Sequence, residues 1–272
     1  MIENIDLSKS KEYSLSIRLG SDGFSFSIVN PKRNDSFKFS QFEINSSCSI
    51  SANLKRWLSS TEELNLDYKE VNVIFDSSRF MAVPSELFQE EKMEELFFFS
   101  YSRLNNEKIL SNLLAKDNIY VVFGVDKYSY QIMREHYANA LFYCSQTPLA
   151  SYYADKSRMG DNKKLFIHLR EHDIKMFCFD KNKLLLMNSY SCRKLSDRIY
   201  YILYVWNQIG YDIDKDEIIL NGDIKDKDKL IKELKRFIPN VYKLLPKAEF
   251  NRSPLAQMEN MPFEMQTLLL CE

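Results

Sequence analysis

The stretch SIRLGSDGFSFSIVN, Ser16–Asn30, decides how the rest of the chain is read. Before its turn, Tyr13, Leu15, Ile17 and Leu19 alternate with Ser14, Ser16 and Arg18. After it, Phe24, Phe26 and Ile28 alternate with Ser25 and Ser27. A period of two predicts two β-strands, and Gly20-Ser21-Asp22-Gly23 supplies the turn between them. Phe37 and Phe39, alternating with Ser36, Lys38 and Ser40, extend the pair to a three-stranded antiparallel meander. One face is apolar. The other carries serines and an arginine and is expected to meet water.

Working outward, a helix is predicted over 52–59, carrying Leu54, Trp57 and Leu58, followed by the apolar strand VNVIFD, 71–76. The second half repeats the plan. KLFIHLR (164–170), DIKMFCFD (173–180) and KLLLMNSYS (183–191) read as three strands. A helix over 193–209 follows, its stripe Leu195, Ile199, Ile202, Trp206 and Ile209 stepping at helical period. Gly210 suits its C-terminal stop. Then come the strand EIILNGD, a helix over 226–237 and the strand VYKL. Ile17 and Val73 are nearly as far apart as Ile167 and Ile219, so each half reads βββαβαβ.

This predicts an α/β protein of two lobes, 1–147 and 148–272, the second with a packed C-terminal extension. The first lobe carries an insertion at about 77–118, opening with the strand RFMAVP and an acidic amphipathic helix from Ser85. IYVVFGVD, 119–126, is expected to resume the first sheet, followed by a helix over 128–139 and the strand LFYCS. A helix over 148–156 crosses between the halves.

Composition narrows the function. The 272 residues are 45% hydrophobic and 28% charged, a globular balance. A formal charge of −1 gives no field to recruit nucleic acid or an anionic membrane surface. No apolar run approaches the ~18 residues of a membrane span. The five cysteines have no metal or disulfide spacing, and Cys144 and Cys178 sit in apolar runs as small core residues. With a polar, acidic beginning, MIENIDLSKS, the expected compartment is the cytoplasm. Six glycines are far below the usual ~7%, which leaves few loops that bring backbone close to phosphate. His168 and His172 flank a strand end and its turn, so their spacing does not converge them on a metal.

The duplicated plan resembles the actin, sugar-kinase and heat-shock-chaperone superfamily, whose lobes are ribonuclease-H-like. Within it, the layout is similar to the actin-like proteins of type IV pilus assembly and their cell-division relatives. The likeness covers most of 13–244. It includes VPSELFQEEKMEEL after a short strand, and IYVVFGVDKYSYQIMREHYANALFYCSQTPLASYY closing the first lobe. The resemblance implies an actin-like ATPase fold, here in a degenerate version carried by an uncharacterised bacterial family.

The superfamily's motifs are then tested by position. The first hairpin should read apolar-Asp-apolar-Gly-Ser/Thr and here is Ile17-Arg18-Leu19-Gly20-Ser21. The second should read apolar-Asp-apolar-Gly and is Ile167-His168-Leu169-Arg170. The nucleoside loop, with two adjacent glycines, is reduced to Asn221-Gly222-Asp223. The resemblance implies that the missing aspartates would hold Mg²⁺ or its waters. A cation at Arg18 repels that metal, and Arg170 fills space where phosphate would meet backbone N–H groups.

The leading expectation is therefore a non-catalytic adaptor or scaffold with no cofactor and no catalytic residues. Its partner, a protein or short peptide, would contact Leu87, Phe88, Leu96 and Phe97 of the insertion, as the pilus-assembly resemblance implies. One alternative is an ATP-binding or weakly hydrolysing enzyme using Gly20, Ser21, Gly23, Arg170 and Gly222. Another is a metal-independent anion site at Arg18 and Arg170, since guanidinium matches phosphate. Against both stands the reading of Arg18 and Arg170 as surface residues on a wet hairpin face.

Overall fold

A computed structural model describes residues 5–30, 37–222, 224–249 and 260–269. The hairpin forms as read: β1 (Ser14–Gly20) pairs antiparallel with β2 (Gly23–Val29), and β2 with β3 (Phe37–Phe42). Helix α1 (Ile50–Ser60) starts at Ser49, whose hydroxyl accepts the Ala52 N–H at 3.2 Å. Strand β4 (Glu70–Phe75) then joins β1 in parallel. There follow β5 (Phe80–Pro84), α2 (Met93–Ser100), β6 (Glu107–Leu114), β7 (Ile119–Asp126), α3 (Lys127–His136), β8 (Leu141–Cys144) and α4 (Gln146–Ser157). The second half supplies β9 (Lys164–Leu169), β10 (Asp173–Asp180), β11 (Lys183–Ser191), α5 (Leu195–Ile209), β12 (Glu217–Gly222), α6 (Lys227–Leu234) and β13 (Val241–Lys243). Helices α7 (Pro246–Glu249) and α8 (Phe263–Leu268) end the described chain.

Among the described residues, the first sheet has the order β3-β2-β1-β4-β8 and the second β11-β10-β9-β12-β13, the same topology position for position. Each sheet buries one face under helices. Leu15, Ile17 and Leu19 pack with Leu54, Trp57 and Leu58 of α1 and Met133 of α3. Leu165, Ile167 and Leu169 pack with Ile202, Val205 and Trp206 of α5 and with Leu230 and Leu234 of α6. Each such side chain contributes about 1.5–3 kcal/mol, so these outer layers hold the sheets. Gly210 ends α5 in the left-handed region at φ 70°, the conformation its lack of Cβ allows.

The other faces of the two sheets turn toward each other, with α4 between them. Tyr153 stacks on Phe166 at 4.6 Å and meets Phe177 edge-on at 5.1 Å. This overturns the expectation of a wet hairpin face. Ser14, Ser16 and Arg18 are all buried, because that face of β1 looks onto α8 and the second sheet rather than onto solvent. Alternation shows only that two faces differ; it does not show what covers the polar one.

The insertion is larger than the sequence suggested. IYVVFGVD does not resume the first sheet: β7 pairs with β5 and with β6 to form a three-stranded sheet of order β5-β7-β6. Strand β6 escaped the sequence reading. Val83, Phe97, Ile109 and Val122 make this sheet's own small core. Of the C-terminal extension, residues 261–268 are packed, but α8 lies on the first sheet, where Met265 and Leu268 meet Ile74. Part of that tail (250–259, 270–272), like Ser36 and Asp223, falls outside the described residues.

Candidate functional site

The polar side chains of the two inner faces converge where β1, β4 and β8 end, opposite the turn between β9 and β10. Arg18 projects from β1, and its side chain is only 5% accessible. Its Nε donates to Glu264 Oε1 of α8 at 2.7 Å, its Nη1 to Asp22 Oδ1 at 3.0 Å and its Nη2 to Asp76 Oδ2 at 3.3 Å. Arg170, just past β9, reaches the same carboxylates: Asp22 at 2.6 Å, Asp76 at 2.7 Å and Glu264 at 3.5 Å. Lys175 on β10 pairs with Asp76 and donates to Ser145 Oγ at 2.9 Å; that hydroxyl donates to Asp76 Oδ1 at 3.0 Å. Three cations thus face three carboxylates.

The protonation states follow from this packing. Burial opposes charge on Asp76, but Lys175, Arg170 and Arg18 hold its carboxyl well below the usual carboxylate range. Burial likewise pushes Glu264 up, yet Arg18, His168 and Arg170 bring it down to about 2. His168, 3.7 Å from Glu264, is held down to about 4, chiefly by burial. At neutral pH its imidazole is therefore uncharged, and the guanidiniums alone answer the Glu264 charge. Burial disfavours charge on Arg18 too, but Glu264, Asp76 and Asp22 raise its pKa above the ordinary arginine value.

The residues singled out from sequence sort as follows. Arg18 and Arg170 come together, but what they hold is the chain's own carboxylates, and neither is a surface arginine. Gly20 lets the hairpin fold back: a Cβ there would stand 2.3 Å from Asp22 Oδ1 and 2.6 Å from Arg18 Nη1. Gly23 pairs with Gly20, and Ser21 is exposed at the turn. Gly222 stands beside Leu169 at φ 90°, where a Cβ would meet the Leu169 carbonyl oxygen at 2.1 Å; its bareness serves sheet closure.

In the insertion, Leu87 is 71% exposed, while Phe88 and Leu96 are half-buried and Phe88 stacks on Tyr120 at 3.8 Å. Phe97 is fully buried in the small core, so it offers no surface; the exposed aromatic of α2 is Phe99, at 92%. Helical geometry turns residue 97 onto the sheet and residue 99 away from it.

Sequence reasoning missed Asp22 in the first hairpin's turn, and Asp76, Lys175 and Glu264. The last three leave a faint mark, a charge in or at the end of an apolar run: VNVIFD, DIKMFCFD and PFEMQTLLL. A cavity of about 310 Å³ lies elsewhere, at the far end of β4, lined by Asn65, Asp67, Glu70 and His136 among others. Among the described residues no cluster of His, Cys, Asp and Glu could hold a metal, and no helix is long and apolar enough to cross a membrane.

Two sheets of identical order facing each other across a polar cleft, the first interrupted by a small subdomain, define the actin-like ATPase fold. The chain belongs to the family described as protein of unknown function (DUF3822), whose model matches residues 2–241. A protein from Bacteroides thetaiotaomicron, solved as having an actin-like ATPase fold and unknown function, is 42% identical. The match covers 98% of this chain and 99% of that one at a TM-score of 0.89. A chain of the PilM–PilN type IV pilus biogenesis complex shares the fold at 12% identity, with 95% and 98% coverage and a TM-score of 0.60. No curated protein matches.

Proposed function

We propose that this chain is a non-catalytic adaptor, an actin-like fold whose interlobe site serves structure and whose surface serves binding. One observation carries the reading: the cleft is occupied by a neutral network of Arg18, Arg170 and Lys175 with Asp22, Asp76 and Glu264. A magnesium–triphosphate does not fit these residues. Asp22, Asp76 and Glu264 each already bind a guanidinium or an ammonium, and three adjacent cations oppose a divalent metal. Seating the anion alone would require displacing Glu264 and α8.

The partner surface is assigned to the insertion. Leu87, Phe88 and Leu96, joined by Phe99, lie on a segment that also exposes Glu86, Glu90, Glu91, Glu94 and Glu95. With five glutamates against one lysine, Lys92, over 86–99, this apolar patch is predominantly acidic and fits a basic, amphipathic peptide. The PilM–PilN complex is a precedent for partner binding within the fold.

Two measurements test the reading. Calorimetry of the purified chain with ATP and Mg²⁺ should give no binding below millimolar concentration; micromolar binding or turnover would establish the enzyme alternative. Capture of partners from lysate should fall at least tenfold with Leu87→Ser and Phe99→Ser together, and undiminished capture would remove the insertion from the interface.

A further inference from the structure

We infer that the acidic insertion docks on a second copy of this chain, against the basic edge that α6 and β13 form in the second lobe. The inference rests on the reading of the insertion as a binding surface and names what binds there. The contact is head-to-tail, because each copy presents both surfaces and the two lie in different lobes.

The formal charge of −1 conceals a separation of sign along the chain. Residues 86–99 carry five glutamates and one lysine, whereas 224–245 carry seven basic residues and three acidic ones, an equal and opposite excess. These charges are free to meet a partner. Glu86, Glu90, Glu91, Glu94 and Glu95 are exposed, and among the described residues the insertion's ion pairs, Arg79 with Glu107 and Lys116 with Asp155, use none of them. On α6, Lys229, Lys232 and Lys235 turn away from the buried Leu230 and Leu234. The ion pairs of this edge among the described residues, Arg236 with Glu233 and Lys243 with Asp228, leave those three lysines unpaired.

Both surfaces also carry apolar side chains left in water. Leu87 and Phe99 stand out from the insertion, and Phe237, Tyr242 and Leu245 are exposed beside the basic residues. Lys243 reaches Asp228 at 2.5 Å and ties β13 to the outer side of α6, so strand and helix form one surface. β13 ends its sheet, and its outer edge has no strand beside it among the described residues. Exposed ion pairs each add little, so the apolar side chains supply the affinity and the charges set approach and orientation. An anionic lipid surface would engage the basic edge but leave the acidic insertion and its Phe99 in water. A second copy covers both, with opposite charge facing opposite charge.

The experiment is sedimentation velocity of the full-length chain. The wild type should associate at micromolar concentration in about 50 mM salt and return to monomer in about 500 mM, where screening shortens the reach of the charges. Two variants reverse charge at exposed positions: Glu91→Lys with Glu95→Lys, and Lys232→Glu with Lys235→Glu. Each alone sets like charges across the contact and should weaken association at least tenfold. In a mixture of the two, the reversed surface of one variant meets the reversed surface of the other, and association should return. A wild type that stays monomeric at low salt, or a mixture that does not recover, overturns the inference. Vesicles of phosphatidylserine and phosphatidylcholine supply the competing arm: binding by a monomeric wild type, lost in Lys232→Glu with Lys235→Glu, gives the edge to a membrane and overturns it as well. A monomeric wild type whose lysate capture still falls with Leu87→Ser and Phe99→Ser keeps the insertion as a binding surface and rejects only the second copy.

Discussion

Arg18 Nε lies 2.7 Å from Glu264 Oε1, joining residues 246 positions apart with both side chains almost fully buried. The strand that opens the first sheet is thereby bonded to the helix that ends the described chain. Removing one member of such a pair leaves the other charge in a poor solvent, a loss of about 3 kcal/mol. Glu264→Gln should lower the urea-unfolding free energy by that amount. The paired change Arg18→Met with Glu264→Leu should cost less than Glu264→Gln alone, since neither charge is then stranded. Additive losses in the double variant would mean that the two side chains do not act as a pair.

Stability should fall in two steps on acidification. An unfolded histidine titrates near ~6.5, whereas His168 in the fold is held down to about 4. Between those values the unfolded chain takes up a proton that the folded chain refuses. The stability tied to His168 is therefore complete above pH ~6.5 and is lost as pH falls to about 4, roughly 3 kcal/mol in all. Glu264, held to about 2, adds a second loss that begins near the unfolded glutamate value of ~4.3 and runs down to about pH 2. Asp76 acts in the same direction. His168→Gln should flatten the upper step and shrink the lower one, because protonated His168 is one of the charges that hold Glu264 down. Denaturant midpoints measured at several pH values check this; equal slopes in both proteins between about pH 6.5 and 4.5 would exclude it.

Gly222→Ala should destabilise by roughly 3 kcal/mol or more, because the new Cβ meets a backbone carbonyl at 2.1 Å and φ is 90°. Gly20→Ala should cost less, since the atoms it meets belong to the Asp22 and Arg18 side chains. Thermal melts of the two variants order them. A bulky residue at 222 therefore tests folding, not nucleotide binding.

The insertion should separate folding from binding at neighbouring positions. Phe97→Ala empties the small core and should cost about 3–5 kcal/mol. Phe99→Ala should stay within about 0.5 kcal/mol of wild type, its ring being exposed, while weakening partner capture. Limited proteolysis within 80–126 gives the first readout and partner pull-down the second.

The local pattern was enough for most elements. Alternation over 14–29 and 164–191 marked the strands, the stripe from Leu195 to Ile209 marked α5, and Gly210 marked its end, because side-chain periodicity and a left-handed stop are properties of a few adjacent residues. The replaced hairpin residues, Arg18 and Arg170, were visible by position. What the chain's order concealed was pairing at a distance. The apolar run 119–126 suits either sheet of the first half, and only its partners β5 and β6 assign it to the small one. The carboxylates that neutralise the arginines come from a hairpin turn, the end of β4 and α8, and no local period ties residue 18 to residue 264. Whether an arginine on a polar strand face meets water or a buried glutamate depends on what folds over that face, and here that was decided by the docking of α8 and the closing of the two sheets on each other.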